Sequence, residues 1–221
     1  VDNAVFWPLS TAEAFAVNQD LRIVDKEHTN WEMYYWWLRS PGNHNIGAAF
    51  VRADGEPSTL VEAAAPSYGV RPAFNLNLGS VLFTSAAVGG KPAGGLTEID
   101  EYTGNEWKLT LKDSSRSGFA VTTTDLSAYT RGGTVKIGYT GAKTGANEYI
   151  SAMILDAAGN PAYYGRSSAA LTDENGTAEL TIPALAEGTY TLKVFNEQYN
   201  GDKMTDYASQ LIEVEPVVDT T

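Results

Sequence analysis

Cysteine is absent from these 221 residues, and histidine occurs only at His28 and His44. Without cysteine there is no disulfide framework, no thiolate nucleophile and no thiolate metal site. The two histidines lie sixteen positions apart and show no His-x-x-x-His spacing, so a histidine-based metal site has no support. No Gly-x-Ser-x-Gly elbow and no phosphate-binding Gly-Lys-Ser/Thr loop is present. No apolar run is long enough to span a bilayer. Basic residues are scarce: Lys and Arg total 15 against 27 Asp and Glu, a net charge of −12. Such a surface repels a phosphate backbone and argues against nucleic acid as a partner.

What is present is a foldable composition, 43% hydrophobic and 19% charged. The chain opens without Met and enters an apolar stretch almost at once (Val5-Phe6-Trp7), and it ends in linker-like Glu213-Val-Glu-Pro-Val-Val-Asp-Thr-Thr221. Both ends are read as those of a piece cut from a longer polypeptide. Four of the five tryptophans precede residue 40, and the fifth is Trp107. Between them lies Gly89-Gly-Lys-Pro-Ala-Gly-Gly95, linker-like by composition. The domain boundary is therefore expected near 105, separating 1–105 from 106–221. Charge does not distinguish the halves: residues 1–106 carry 6 basic and 13 acidic side chains (−7), the rest 9 and 14 (−5).

The first half reads as mixed α+β. Ser10-Thr-Ala-Glu13 has capping-box spacing and predicts a short helix. Trp31–Leu38 is apolar on both alternating faces, which suits a strand covered on both sides. Ala48–Arg52 and Tyr68–Asn77 read as further strands, the latter at an edge or bulged because Pro72 cannot donate to a ladder. The second half shows short alternating runs separated by glycine and asparagine turns. Examples are Thr177–Ile182 and Tyr190–Phe195. This predicts an all-β, two-sheet antiparallel sandwich.

Trp36-Trp-Leu-Arg-Ser-Pro-Gly42, Tyr68-Gly-Val-Arg-Pro-Ala-Phe74 and Asn75-Leu-Asn77, with Phe6-Trp-Pro-Leu-Ser10 before the helix, resemble an uncharacterised domain family of Gram-positive bacterial surface proteins. The resemblance covers roughly residues 4–86 and only the later part of that domain. It marks Trp36, Trp37, Arg39, Gly42, Arg71 and Pro72 as signature positions. A Trp-rich strand followed by a late Gly-x-Arg strand is also similar to the C-type-lectin-like fold, which includes the formylglycine-generating enzymes. Their chemistry relies on cysteines that this chain lacks. Residues 107–215 resemble bacterial immunoglobulin-like modules. Together these resemblances imply an extracellular, secreted or wall-attached protein that binds a glycan or another surface protein, without cofactor or catalysis. A structural spacer and a carbohydrate-active enzyme are the alternatives.

The candidate ligand contacts are Trp31, Tyr34, Asn43, His44, Asn45 and Arg52. Aromatic faces can stack on sugar rings, although Trp36 and Trp37 are read as core because each indole has so much apolar surface to bury. The polar stretch Gly42-Asn-His-Asn-Ile-Gly47 offers donors and acceptors directly after the Trp strand. Arg39, Arg52 and Arg71 suit carboxylates, either of an acidic ligand or of the protein itself. Asp156–Asn160 and Asp173–Gly176 carry oxygen ligands but not the spacing of a twelve-residue calcium loop. Glu13, Asp25, Glu27 and Glu32 are the carboxylates an enzyme reading would draw on.

Overall fold

The structure, a computed structural model, describes residues 6–25, 34–43, 47–60, 68–125, 132–186 and 188–219. It is rich in β-structure and divides into two compact units, residues 1–76 and 77–221.

The first unit contains strand β1 (Trp7–Pro8), helices α1 (Thr11–Ala16) and α2 (Gln19–Arg22), and strands β2 (Trp36–Pro41), β3 (Ala48–Val51), β4 (Pro57–Ser58), β5 (Gly69–Val70) and β6 (Pro72–Ala73). Helix α1 begins where the sequence signal places it. The Glu13 N–H donates to Ser10 Oγ at 3.2 Å and the Ser10 N–H donates to Glu13 Oε2 at 2.6 Å, a complete capping box. Four strands form one sheet in the order β4-β3-β2-β5, and β1 pairs with β6. The break between β5 and β6 falls at Arg71-Pro72, and Pro72 joins a separate two-stranded ladder, consistent with its missing N–H.

Strand β2 is covered on both faces. Trp36 and Leu38 pack with Ala14, Ala49 and Val51 in one buried cluster. On the other face Trp37 meets Tyr68 at 4.8 Å between ring centroids, and Tyr35 stacks on Phe50 at 5.6 Å.

The Ser10 hydrogen bonds, the backbone one foremost, hold the Glu13 carboxyl below its ordinary range, and Arg39 adds to the effect. A carboxyl with a depressed folded-state pKa stabilises fully above the unfolded value. That stabilisation is lost as pH falls through the folded one. An NMR titration should therefore show the Ser10 amide shift with a midpoint below the ordinary glutamate value of about 4.3. A midpoint at or above that value would contradict the capping box.

The second unit contains β7 (Val81–Ala86), β8 (Thr97–Glu98), β9 (Trp107–Lys112), β10 (Ala120–Asp125), β11 (Thr134–Thr140), β12 (Glu148–Leu155), β13 (Pro161–Arg166), β14 (Gly176–Thr181), β15 (Thr189–Gln198), β16 (Asp206–Ala208) and β17 (Ile212–Asp219). One sheet runs β7-β9-β16-β15-β12-β13-β8, with β17 also paired to β15; the other runs β10-β11-β14. Val135 and Ile137 of β11, Leu180 of β14, Ile150 and Ala152 of β12, and Leu192 and Val194 of β15 share one buried cluster. The two sheets therefore pack face to face across alternating apolar side chains.

The boundary differs from the expected 105. Strand β7 pairs along β9, and β8 pairs with β13, so residues 77–105 belong to the second unit. The glycine-rich stretch is a strap rather than a linker. Gly95 has φ of +139°, and a Cβ at Gly165 would lie 2.1 Å from the Gly95 carbonyl oxygen. Glycine here permits close backbone approach. Among the described residues no helix is long and apolar enough to cross a membrane.

Candidate functional site

In the first unit, Trp31, His44 and Asn45 lie outside the described residues. Tyr34 is half-buried, and its hydroxyl pKa is raised by burial first and by the Asp25 carboxylate second. Asn43 is exposed; its N–H donates to the Thr59 carbonyl at 2.8 Å, beside the Gly42 N–H, which donates to the Gly47 carbonyl at 2.9 Å. Arg52 pairs with Asp54 at 2.6 Å.

The signature arginines make internal contacts. Arg39 holds both carboxylate oxygens of Glu13 and donates to the Pro8 carbonyl at 3.3 Å. Arg71 lies over the Trp36 ring at 5.1 Å and donates to the Leu21 and Arg22 carbonyls at 3.0 and 3.1 Å. Arg22, which the sequence does not flag, is buried and ties α1 to the β3–β4 turn by donating to the Ala14, Val17 and Gly55 carbonyls. Of the candidate enzyme carboxylates, Glu13 is engaged by Ser10 and Arg39 and Asp25 by Tyr34, while Glu27 and Glu32 lie outside the described residues.

The oxygen-rich turns of the second unit serve the backbone. Asp156 Oδ1 accepts from the Ala158 and Asn160 N–H groups at 2.9 and 2.8 Å. Its pKa falls chiefly because of the Asn160 backbone bond. Among the described residues no group of three or more His, Cys, Asp or Glu converges to hold a metal ion.

A cavity of about 860 Å³ opens in the second unit, within the size range of small-ligand sites. The strap supplies Val88 to Pro92, β7 supplies Phe83 to Ala86, and Met153 and Tyr164 line it from β12 and β13. Glu98, Asp100 and Glu101 are among its lining residues. Trp107, 53% exposed, is braced edge-on by Tyr102 at 4.8 Å. Tyr102 is anchored in turn, its hydroxyl donating to the Glu106 carbonyl at 2.8 Å. The sequence marks Trp107 as the one tryptophan beyond residue 40 but does not place it beside an acidic segment. That proximity arises because residues 97–107 return along β13 and β7.

Beneath the cavity lies a buried cluster of charges. Lys91 Nζ donates to Glu197 Oε1 at 2.5 Å, Asp206 Oδ2 at 2.7 Å and Thr110 Oγ1 at 2.5 Å. Lys108 Nζ also reaches Asp206 Oδ2, at 2.8 Å, and donates to the Gly201 carbonyl at 2.6 Å. Burial lowers the Lys108 pKa, against the pull of Asp206. Tyr164 and Ser151 hydroxyls both donate to Glu197 Oε2, at 2.5 and 2.6 Å. Burial, followed by the Glu197 charge, raises the Tyr164 pKa well above its ordinary value.

Residues 6–78 match the model of a family described as a domain of unknown function, DUF6273. The match spans the first unit and ends just inside the second. No curated protein and no solved structure matches the chain.

Proposed function

We propose that the chain is a non-catalytic recognition module of a bacterial surface protein, and that a glycan docks in the cavity of the second unit. One observation carries this reading: a half-exposed, braced tryptophan shares the lining of a cavity of ligand size with Glu98, Asp100 and Glu101. The C–H face of a sugar ring stacks on Trp107, while Glu98, Asp100 and Glu101 accept its hydroxyls. The apolar wall of Phe83 and Met153 excludes water behind it.

In this reading the second unit is an immunoglobulin-like sandwich and the first a partial C-type-lectin-like module. Two face-to-face sheets support the former, and the Trp-rich strand followed by the Gly69–Val70 strand, with Arg71 directly after it, supports the latter. The surface-protein resemblance supports an extracellular setting, and the lack of cysteine is compatible with it. The aromatic rings of β2 are covered on both faces, which favours a supporting role for the first unit.

Titration against a saccharide panel, with Trp107→Ala as the variant, tests the reading. The variant is expected to lose about 2 kcal/mol, or roughly thirtyfold in Kd, as a central aromatic contact does. Comparison with Asn43→Ala separates the cavity from the first-unit loop. A panel in which no saccharide binds, or binding that Trp107→Ala leaves intact, would overturn the proposal.

A further inference from the structure

The buried cluster contains more chemistry than recognition needs. Two lysines and two carboxylates stand together with side chains no more than 2% exposed. Phe83 and Tyr164 rings face Lys91 Nζ at 4.7 and 5.7 Å, and Phe195 and Met153 are buried in the adjoining apolar cluster. Such charges are costly to keep out of water, and replacing a buried pair with neutral groups is often neutral or favourable.

We propose that Lys91 and Asp206 join covalently: the Lys91 Nζ and the Asp206 carboxyl condense into an amide with loss of water. This modification is independent of the glycan reading.

The geometry assigns each group a role. Lys91 is the nucleophile because it alone among the described lysines touches both buried carboxylates. Asp206 is the acyl partner. Its Oδ1 accepts the Asn200 backbone N–H at 2.8 Å, which fixes that oxygen as the future amide carbonyl and stabilises negative charge on it. Its Oδ2 faces Nζ and is the oxygen that leaves. Glu197 Oε1 takes a proton from Nζ and passes it to the departing Oδ2. Tyr164 and Ser151 occupy the other Glu197 oxygen and so aim Oε1 at the lysine. Lys108 offsets charge at Asp206 while anchored by the Gly201 carbonyl and packed over the Tyr199 ring at 4.0 Å.

The step balances. Nζ–Cγ forms and Cγ–Oδ2 breaks. Of the ammonium's three protons, one stays on the amide nitrogen and two leave in the water, and Glu197 ends as it began. No oxidant or co-reactant is needed. In bulk water the reverse reaction is favoured because the freed amine and acid ionise and are hydrated. In a site closed to water that advantage is lost. The product also removes one positive and one negative charge, leaving Lys108 and Glu197 as a balanced pair. The amide closes a loop between positions separated by 115 in sequence, joining the strap to β16 in a chain with no cysteine.

Intact mass spectrometry of the denatured full chain tests this directly. The wild type is expected to be lighter than its sequence mass by one water. A protease digest should contain a branched peptide joining Lys91 to Asp206. Glu197→Gln, close in shape but unable to relay the proton, should show its full sequence mass. Because the wild-type mass alone decides, a variant that fails to fold does not rescue the idea. A wild-type chain of full mass would overturn it. So would a water loss confined to a single unbranched peptide, or a branch at Lys108 or at Glu197.

Discussion

Glu148→Ala is expected to destabilise the second unit by about 3–5 kcal/mol, the usual cost of stripping one partner from a buried ion pair. Arg116 ends a short 3-10 turn (Ser114–Arg116) and is 3% exposed. It grips Glu148 with two nitrogens, at 2.5 and 2.8 Å, and donates to Asn196 Oδ1 at 3.0 Å. Asn196 in turn accepts from the Lys143 N–H at 2.9 Å and donates to the Tyr149 carbonyl at 3.2 Å. Removing the carboxylate leaves the guanidinium buried, with the partly exposed Asp113 at 3.1 Å as its counter-charge among the described residues. Urea unfolding should register the loss as a fall in midpoint of about 1 M or more, given slopes of about 1–3 kcal/mol/M. The double replacement Arg116→Met, Glu148→Leu should cost less than Glu148→Ala alone, since it leaves no orphaned charge. A single-variant loss within about 0.5 kcal/mol, as a surface substitution gives, would show that water reaches the pair.

Trp36→Ala is the second large effect, expected to cost about 3–5 kcal/mol and to unfold the first unit. Trp36 is 2% exposed, and its indole N–H donates to the Arg22 carbonyl at 3.0 Å. The same ring carries the Arg71 guanidinium. Truncation leaves a cavity against Ala14, Leu38 and Val51 and removes one of the two donors, Trp36 and Arg71, to the carbonyl that ends α2. Limited proteolysis should cut the variant within residues 1–76 and spare the core strands of 77–221. If Trp36 instead served as a ligand platform, its truncation would abolish binding and leave the protease pattern unchanged.

These two sites differ in how far they could be read in advance. The apolar run through residues 36–38 marks a strand wanted on both sides by hydrophobic neighbours, and the burial of Trp36 follows. Arg116 and Glu148 are 32 positions apart and follow no motif. Their pairing exists only because β12 runs past the 3-10 turn. The capping box was legible because all its atoms lie within four residues. Most strands from β9 onward, though not β16, were legible because alternation is a local property of a half-buried ladder. Strands β7 and β8 were not placed in this sheet because nothing local states their partners. The strap was misleading for a physical reason: glycine both loosens a free chain and lets two backbones touch, and composition reports the first use as readily as the second. The cavity behaves likewise. Trp107 stands out in the sequence, but nothing local brings it to Glu98 and Asp100.

By itself, then, the amino-acid sequence determined the β-rich character, the helix start at Ser10, most second-unit strands and the lack of cysteine chemistry. These depend on composition or on neighbours a few residues away. Tertiary structure alone decided where the first unit ends, which rings face each other, and that a lysine amid glycines lies 2.5 Å from one buried carboxylate and 2.7 Å from another. Lys91 has the same sequence surroundings whether it hangs in solvent or sits in a core. Its environment comes from Thr110, Glu197 and Asp206, brought to it by three separate strands.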